Sequence, residues 1–264
     1  MIGPLETPPR SRGERSQFDI TDYHQQNIKL DNGTTVPVSL VAASDLARAA
    51  YCPRQLYYAR QSDDRGPPDE VEARRDLAFR YPELRGANDA ALESRPIAVE
   101  PAEYRGNLDA LAADDLWDRL VDPTERDALL TGKDCRGVAH KLLAGDDGAD
   151  DPTPPTPVFV SGGVPPPEGV WEPQSVRAVA LAKALAWERG REVPRGLVEY
   201  PAVGVVRPVR LTTRKKARYR ELLWTVETLD GPPPRLDDDT KCEPCEYREA
   251  CGVRTRSLKS LLGL

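Results

Sequence analysis

With 264 residues the chain can hold one large domain or two small ones, and it is long enough to bury a sizeable core. Apolar residues make up 39% and charged residues 30%, with a formal charge of −6. No apolar run approaches the roughly 18 residues of a membrane span, so no membrane partner is expected. The opening "MIGPLETPPRSRGERSQFDI" lacks the apolar stretch of a secretory signal. Five cysteines in such a chain argue against a disulfide framework and for metal binding or reactive thiols, with the cytoplasm as the expected compartment.

Residues 1–36 are polar and read as a loosely attached extension; residues 37–264 are expected to form a single domain. "SDLARAAY" predicts a helix with Ser44 as N-cap and with Leu46, Ala49 and Ala50 on one face. Pro53 stops it and suits the first turn of the next helix, "PRQLYYAR", leaving Cys52 at the junction. "DEVEARRDLAFRYPEL" predicts a further helical stretch. Short strands are expected at 136–145 and 156–162, joined by an acidic loop, and a helix at 173–190 ending at Gly190. "RGLVEYPAVG" and "VVRPVRLT" read as a hairpin, and 213–229 as a helix capped by Thr212 or Thr213. Helices followed by alternating strands and helices point to an α/β or α+β fold.

"KCEPCEYREAC" sets Cys242, Cys245 and Cys251 in a C-x2-C-x5-C pattern, which turns three sulfurs toward one centre. Three thiolates rarely close a metal site. Cys52, 190 positions before Cys242, is the natural fourth ligand, with Cys135 as the alternative. Cys135 opens an apolar segment and reads as a small buried hydrophobe. Four thiolates suit either Zn2+ or an iron–sulfur cluster. One distant, single ligand departs from the two C-x2-C pairs usual for zinc and favours the cluster.

Residues 191–264 hold 15 Lys and Arg against 11 Asp and Glu, so this part is basic within an acidic chain. Its densest stretch, "RPVRLTTRKKARYR", supplies Arg207, Arg210, Arg214, Lys215, Lys216, Arg218 and Arg220, with Tyr219 among them. Such side chains gain affinity for nucleic acid by counterion release, and an aromatic among them can stack on a base. Basic residues in the first turn of the helix at 213–229 oppose its dipole, which suggests that they face an anion. Arg254, Arg256 and Lys259 extend the charge beyond the cysteines.

Together, "SDLARAAYCPRQLYY" and "KCEPCEYREAC" resemble the RecB-like exonuclease family associated with CRISPR systems, the iron–sulfur branch of the PD-(D/E)XK nucleases. The resemblance covers roughly residues 38–253. It implies an α/β fold with a mixed central sheet flanked by helices. It also implies that Cys52, Cys242, Cys245 and Cys251 hold a [4Fe–4S] cluster stapling the domain ends, with DNA as partner. Relatives carry an Asp, a Glu and a Lys on two strands to bind Mg2+ or Mn2+ and activate water, and a Gln on the following helix. Here those positions hold His140, Phe159, Ser161 and Val179. The expectation is therefore a DNA-binding protein, on single strands or frayed ends, whose cleavage is lost or altered, serving CRISPR adaptation or repair. Two alternatives stand beside it. One is an active single-strand exonuclease whose carboxylates have moved to Asp134, Asp146, Asp147, Glu168 or Glu172. The other is a structural zinc module for protein partners.

Overall fold

The computed structural model describes residues 26–29, 35–62, 66, 68–145 and 154–252. The chain divides into two units, Met1–Ser39 and Leu40–Leu264. In the first, β1 (Gln26–Lys29) and β2 (Thr35–Val38) pair antiparallel, with Gln26 opposite Val38. The sequence reading had no element there, although Asn32-Gly33 between the strands is a strong hairpin signal.

The second unit is α/β. Strand β3 (Val41–Ala42) leads into α1 (Ala43–Tyr51), and α2 (Pro53–Ala59) follows after a break at Cys52. Helix α1 begins before Ser44, so Ala42 is the N-cap and no side chain caps it. Next come α3 (Asp69–Asp76), a 3-10 turn at Leu77–Phe79 and α4 (Tyr81–Arg85). One continuous helix was expected here; Pro82 has no N–H to continue it, and Arg80 leaves helical geometry at φ −129°. Helices α5 (Asp89–Glu93), α6 (Pro101–Ala112) and α7 (Trp117–Val121) complete this layer.

Strands β4 (Glu125–Thr131), β5 (Cys135–Leu143) and β6 (Thr156–Val160) form an antiparallel meander. Helix α8 (Glu172–Arg189) then crosses to β7 (Arg195–Tyr200), which lies parallel to β6. Strand β8 (Val205–Arg210) returns antiparallel to β7, and β3 pairs in parallel with the first residues of β5. The sheet order is β3-β5-β6-β7-β8, with β4 on β5: a mixed sheet flanked by helices. Helix α9 (Thr213–Glu227) and the short α10 (Asp239–Cys242) finish the described fold.

Each sheet face carries its own core. On one face α1, α8 and α9 bury Leu46, Leu181, Leu185, Leu222 and Val226 against Ala139 and Val198. Each such side chain contributes roughly 1.5–3 kcal/mol on leaving water. Half of the residues that α8 buries are alanine, which lets it approach the strands closely. At Gly137 a Cβ would lie 2.7 Å from the Ala43 Cβ, so the sheet has no room for a side chain there. Gly190 ends α8 in the left-handed conformation at φ 61°, as its position in the sequence suggested. On the other face Tyr81, Leu92, Tyr104, Leu108 and Leu120 pack on Leu143, Val158 and Leu197. Among the described residues no helix is long and apolar enough to cross a membrane.

This second core encloses an ion pair. Lys141 on β5 and Glu199 on β7 are both fully buried, with Nζ 2.9 Å from Oε1. Lys141 also donates to the carbonyls of Ala78 at 2.6 Å and Leu120 at 3.0 Å, so all three ammonium protons are used. The rings of Phe79 and Tyr81 lie 4.9 and 5.3 Å from Nζ.

Candidate functional site

The α1–α2 break is built for Cys52. Its extended backbone, φ −162° and ψ 116°, ends α1 through an N–H bond to the Arg48 carbonyl at 2.8 Å. Its carbonyl in turn accepts from Leu56 N–H in α2. On the other side, Asp238 caps α10, and successive turns carry the chain from Cys242 through Cys245 to Cys251. The two chain segments are knitted together around the thiols. Tyr51 donates its hydroxyl to the Lys241 carbonyl at 2.8 Å, Arg54 donates to Pro233 at 2.6 Å, and Tyr58 stacks on Tyr247 at 6.1 Å.

Cys52, Cys242, Cys245 and Cys251 all line one narrow cavity of about 20 Å³, with Tyr51 and Arg54 in its wall. That is room for about one water molecule. The Cys242 thiol is pushed up in pKa, first by burial and then by the neighbouring sulfurs of Cys52, Cys251 and Cys245. Four thiols, without a carboxylate or imidazole between them, are a soft donor set suited to iron or zinc. Among the described residues no three His, Cys, Asp or Glu side chains are already gathered as a metal-binding group. The donor chemistry fits a soft metal. Cys135 stands apart in the core, donating weakly to the Ala180 carbonyl at 3.5 Å, with its thiol pushed up to about 12 by burial.

The positions where the resemblance expects a nuclease site have other work. Phe159 is buried, with the Arg177 guanidinium 4.2 Å above its ring and the His140 ring 5.3 Å away. His140 accepts the Val160 N–H at Nδ1, 3.0 Å away, so its remaining proton sits on Nε2. Burial, then the charges of Arg177, Arg75 and Lys141, push its pKa down to about 3. Ser161 is buried; its hydroxyl oxygen accepts from Gln174 Nε2 at 2.7 Å, and Gln174 accepts from the Tyr200 hydroxyl. Val179 is buried in the core beneath α8. The amide that reaches the end of β6 is that of Gln174, which the sequence reading passed over. Its signal was its place beside Pro173, in the first turn of the helix that follows the strand. Burial, then the charges of Arg75 and Arg48, lower the Arg177 pKa to about 10.

Among the described residues the relocated acids do not gather either. Asp134 accepts from Tyr219, Glu172 accepts from Arg218, and Glu168 is exposed on a loop. Asp146 and Asp147 lie outside the described residues. A carboxylate and a lysine do meet at Glu199 and Lys141, a pair the sequence reading missed, but water cannot reach them.

In the basic stretch, Arg207, Lys215, Lys216 and Arg218 are half-buried, and Arg210, Arg214 and Arg220 are exposed. Lys216 pairs with Glu192, and Arg218 with both Glu172 and Glu221. Tyr219 corrects the expectation of a stacking aromatic. It is fully buried and donates to Asp134 Oδ1 at 2.6 Å. The reason is helical spacing: Tyr219, Leu222, Leu223 and Val226 form the i, i+3, i+4, i+7 stripe that faces the core. Arg254, Arg256 and Lys259 lie outside the described residues. No protein-family model matches this chain, and the comparison with curated proteins gives no match either.

Proposed function

We propose that the chain is an iron–sulfur DNA-binding protein of the RecB-like, PD-(D/E)XK nuclease type, in which metal-dependent cleavage has been lost. The observation that carries this reading is the convergence of four cysteines from the two ends of the domain on one cavity. Cys52, Cys242, Cys245 and Cys251 would be the ligands. A [4Fe–4S] cluster bound there would supply thiolate–iron bonds that close nearly the whole domain into one loop. The antiparallel meander, crossing helix and parallel strand agree with this fold type. The neutral His140, the buried Phe159 and the internally bonded Ser161 support the loss of cleavage. The partners on this reading are single-stranded DNA or frayed ends and the proteins of CRISPR adaptation or repair, in the cytoplasm.

The test is anaerobic purification followed by iron, sulfide and zinc analysis. The expected protein is brown, with about four iron and four sulfide per chain, and Cys52→Ser loses both. Colourless protein with stoichiometric zinc would replace the cluster with a structural zinc site. The loaded protein should retain single-stranded DNA at low salt and release no fragments with Mn2+. Fragments that disappear in Asp134→Ala or Glu172→Ala would restore the nuclease.

A further inference from the structure

The basic stretch of the sequence is only part of a longer positive surface. Arg195 opens β7 and Arg210 closes β8, and the register sets them directly opposite one another. Both are exposed. Like charges at one cross-strand position cost stability, and the pair concentrates positive charge at this edge of the sheet. They line a cavity of about 490 Å³ together with Arg119, Thr156 and Thr212, and no acid among the described residues contributes to it. The Arg119 guanidinium is steadied by the Ala144 carbonyl. Thr212 caps α9, a 15-residue helix whose first turn contains no acid, so its N-terminal dipole adds to the same field.

Leu211 forms part of this cavity and of a second one, of about 430 Å³, on its other side. The second is lined by Lys133, Lys183, Arg191 and Lys216, with Trp187 among them. Its two acids are already engaged: Asp134 by Tyr219 and Glu192 by Lys216. Among the described residues, the linings of the two cavities carry seven cationic side chains and two carboxylates. Trp187 is 55% exposed, near the end of α8. An open indole face among cations is what a stacked base requires.

We infer that these two adjoining cavities form a groove for a single-stranded polynucleotide, with the backbone on Arg195, Arg210 and the α9 N-terminus, and a base stacked on Trp187. This rests on the DNA-binding reading above and replaces Tyr219 by Trp187 as the stacking residue. A duplex keeps its bases paired and inaccessible to the indole, so the groove prefers single strands.

The test compares wild type, Trp187→Ala, Trp187→Phe and the double variant Arg195→Gln/Arg210→Gln, each checked for unchanged melting. Fluorescence anisotropy is read with labelled oligothymidylate and with a duplex of equal length, across a salt series. Trp187→Ala should weaken single-strand binding roughly tenfold or more, as expected for one lost stack, and leave duplex binding unchanged. Trp187→Phe should retain most of the affinity. The arginine double variant should flatten the single-strand salt slope by about 0.7 for each lost phosphate contact. If wild type binds oligothymidylate and all these variants bind it equally well, the groove is wrong and the DNA-binding reading survives. If wild type retains no DNA at any salt, both fall.

Discussion

The cysteine cavity and the ends of β5 and β6 treat polar groups in opposite ways. Around the cavity, hydrogen bonds and stacked rings join the two chain segments, while the four cysteines line the space between them. At the strand ends each polar side chain is satisfied internally: His140 by the Val160 N–H, and Ser161 by Gln174, which is held by Tyr200. A group that satisfies its neighbours has become structure. Groups of one chemical kind, brought from 190 residues apart to line one cavity, are what the proposed metal site rests on. The contrast separates a cavity lined by like groups from strand ends whose polar groups are used up in the fold.

The sharpest way to break this comparison is to attack the sheet centre without touching the thiols. Lys141→Met leaves the buried Glu199 without its ammonium partner, in a core where its Oε2 already lacks a hydrogen bond. The expected loss is about 3–5 kcal/mol in urea unfolding, the usual cost of removing one partner of a buried pair. Lys141→Met/Glu199→Leu should recover most of it, because no charge then remains in the core. Both effects should be the same in metal-free protein. A dependence on bound metal would mean that the two regions are coupled and the contrast false.

How legible these regions were in the sequence follows from the range of the interactions that made them. Helices α1, α2, α8 and α9 and the β7–β8 pair were readable because Pro53, Gly190 and Thr212 punctuate them locally. Residues 86–134 yielded nothing, although they hold α5, α6, α7 and β4. Helix α6 hides its apolar stripe of Tyr104, Leu108 and Leu111 among charged residues, and β4 exposes Leu129 while burying Ala128. Three of the cysteines announced themselves by spacing; the fourth needed the helix break at Pro53. The Lys141–Glu199 pair was invisible, because each residue taken alone has the character of a surface charge. The same holds for the groove at Trp187, whose cations come from five separate stretches of chain.

A smaller effect tests whether His140 is structural. Its folded pKa of about 3 lies below the ordinary histidine value of 6.5, so the unfolded chain binds the proton more readily. Its contribution is complete above about pH 6.5 and is lost as pH falls from there toward 3. The unfolding free energy should drop by up to about 1.4 kcal/mol per pH unit in that window on account of this one group. In His140→Gln, which cannot take a proton but can still accept the Val160 N–H, the decline should be shallower. Equal slopes in variant and wild type would place His140 in contact with water, and the strand ends would then be an open site after all.

The smallest expected effect concerns the residue that the sequence misassigned. Tyr219 donates to Asp134 Oδ1 at 2.6 Å while its ring is enclosed by the core and lies beneath Lys183. Tyr219→Phe keeps the ring and removes one hydrogen bond to a carboxylate, a loss of about 1–2 kcal/mol in thermal or urea unfolding. It also frees Asp134, which lines the second basic cavity, to act as an unscreened negative charge there. A residue that stacked on bases would lose little on becoming phenylalanine, since the ring does the stacking. A core residue that masks an acid predicts something else: lower stability together with slightly weaker single-strand binding and an unchanged requirement for Trp187. Measured by the same anisotropy series, unchanged stability with unchanged binding would return Tyr219 to the surface and undo the assignment of Trp187 as its replacement.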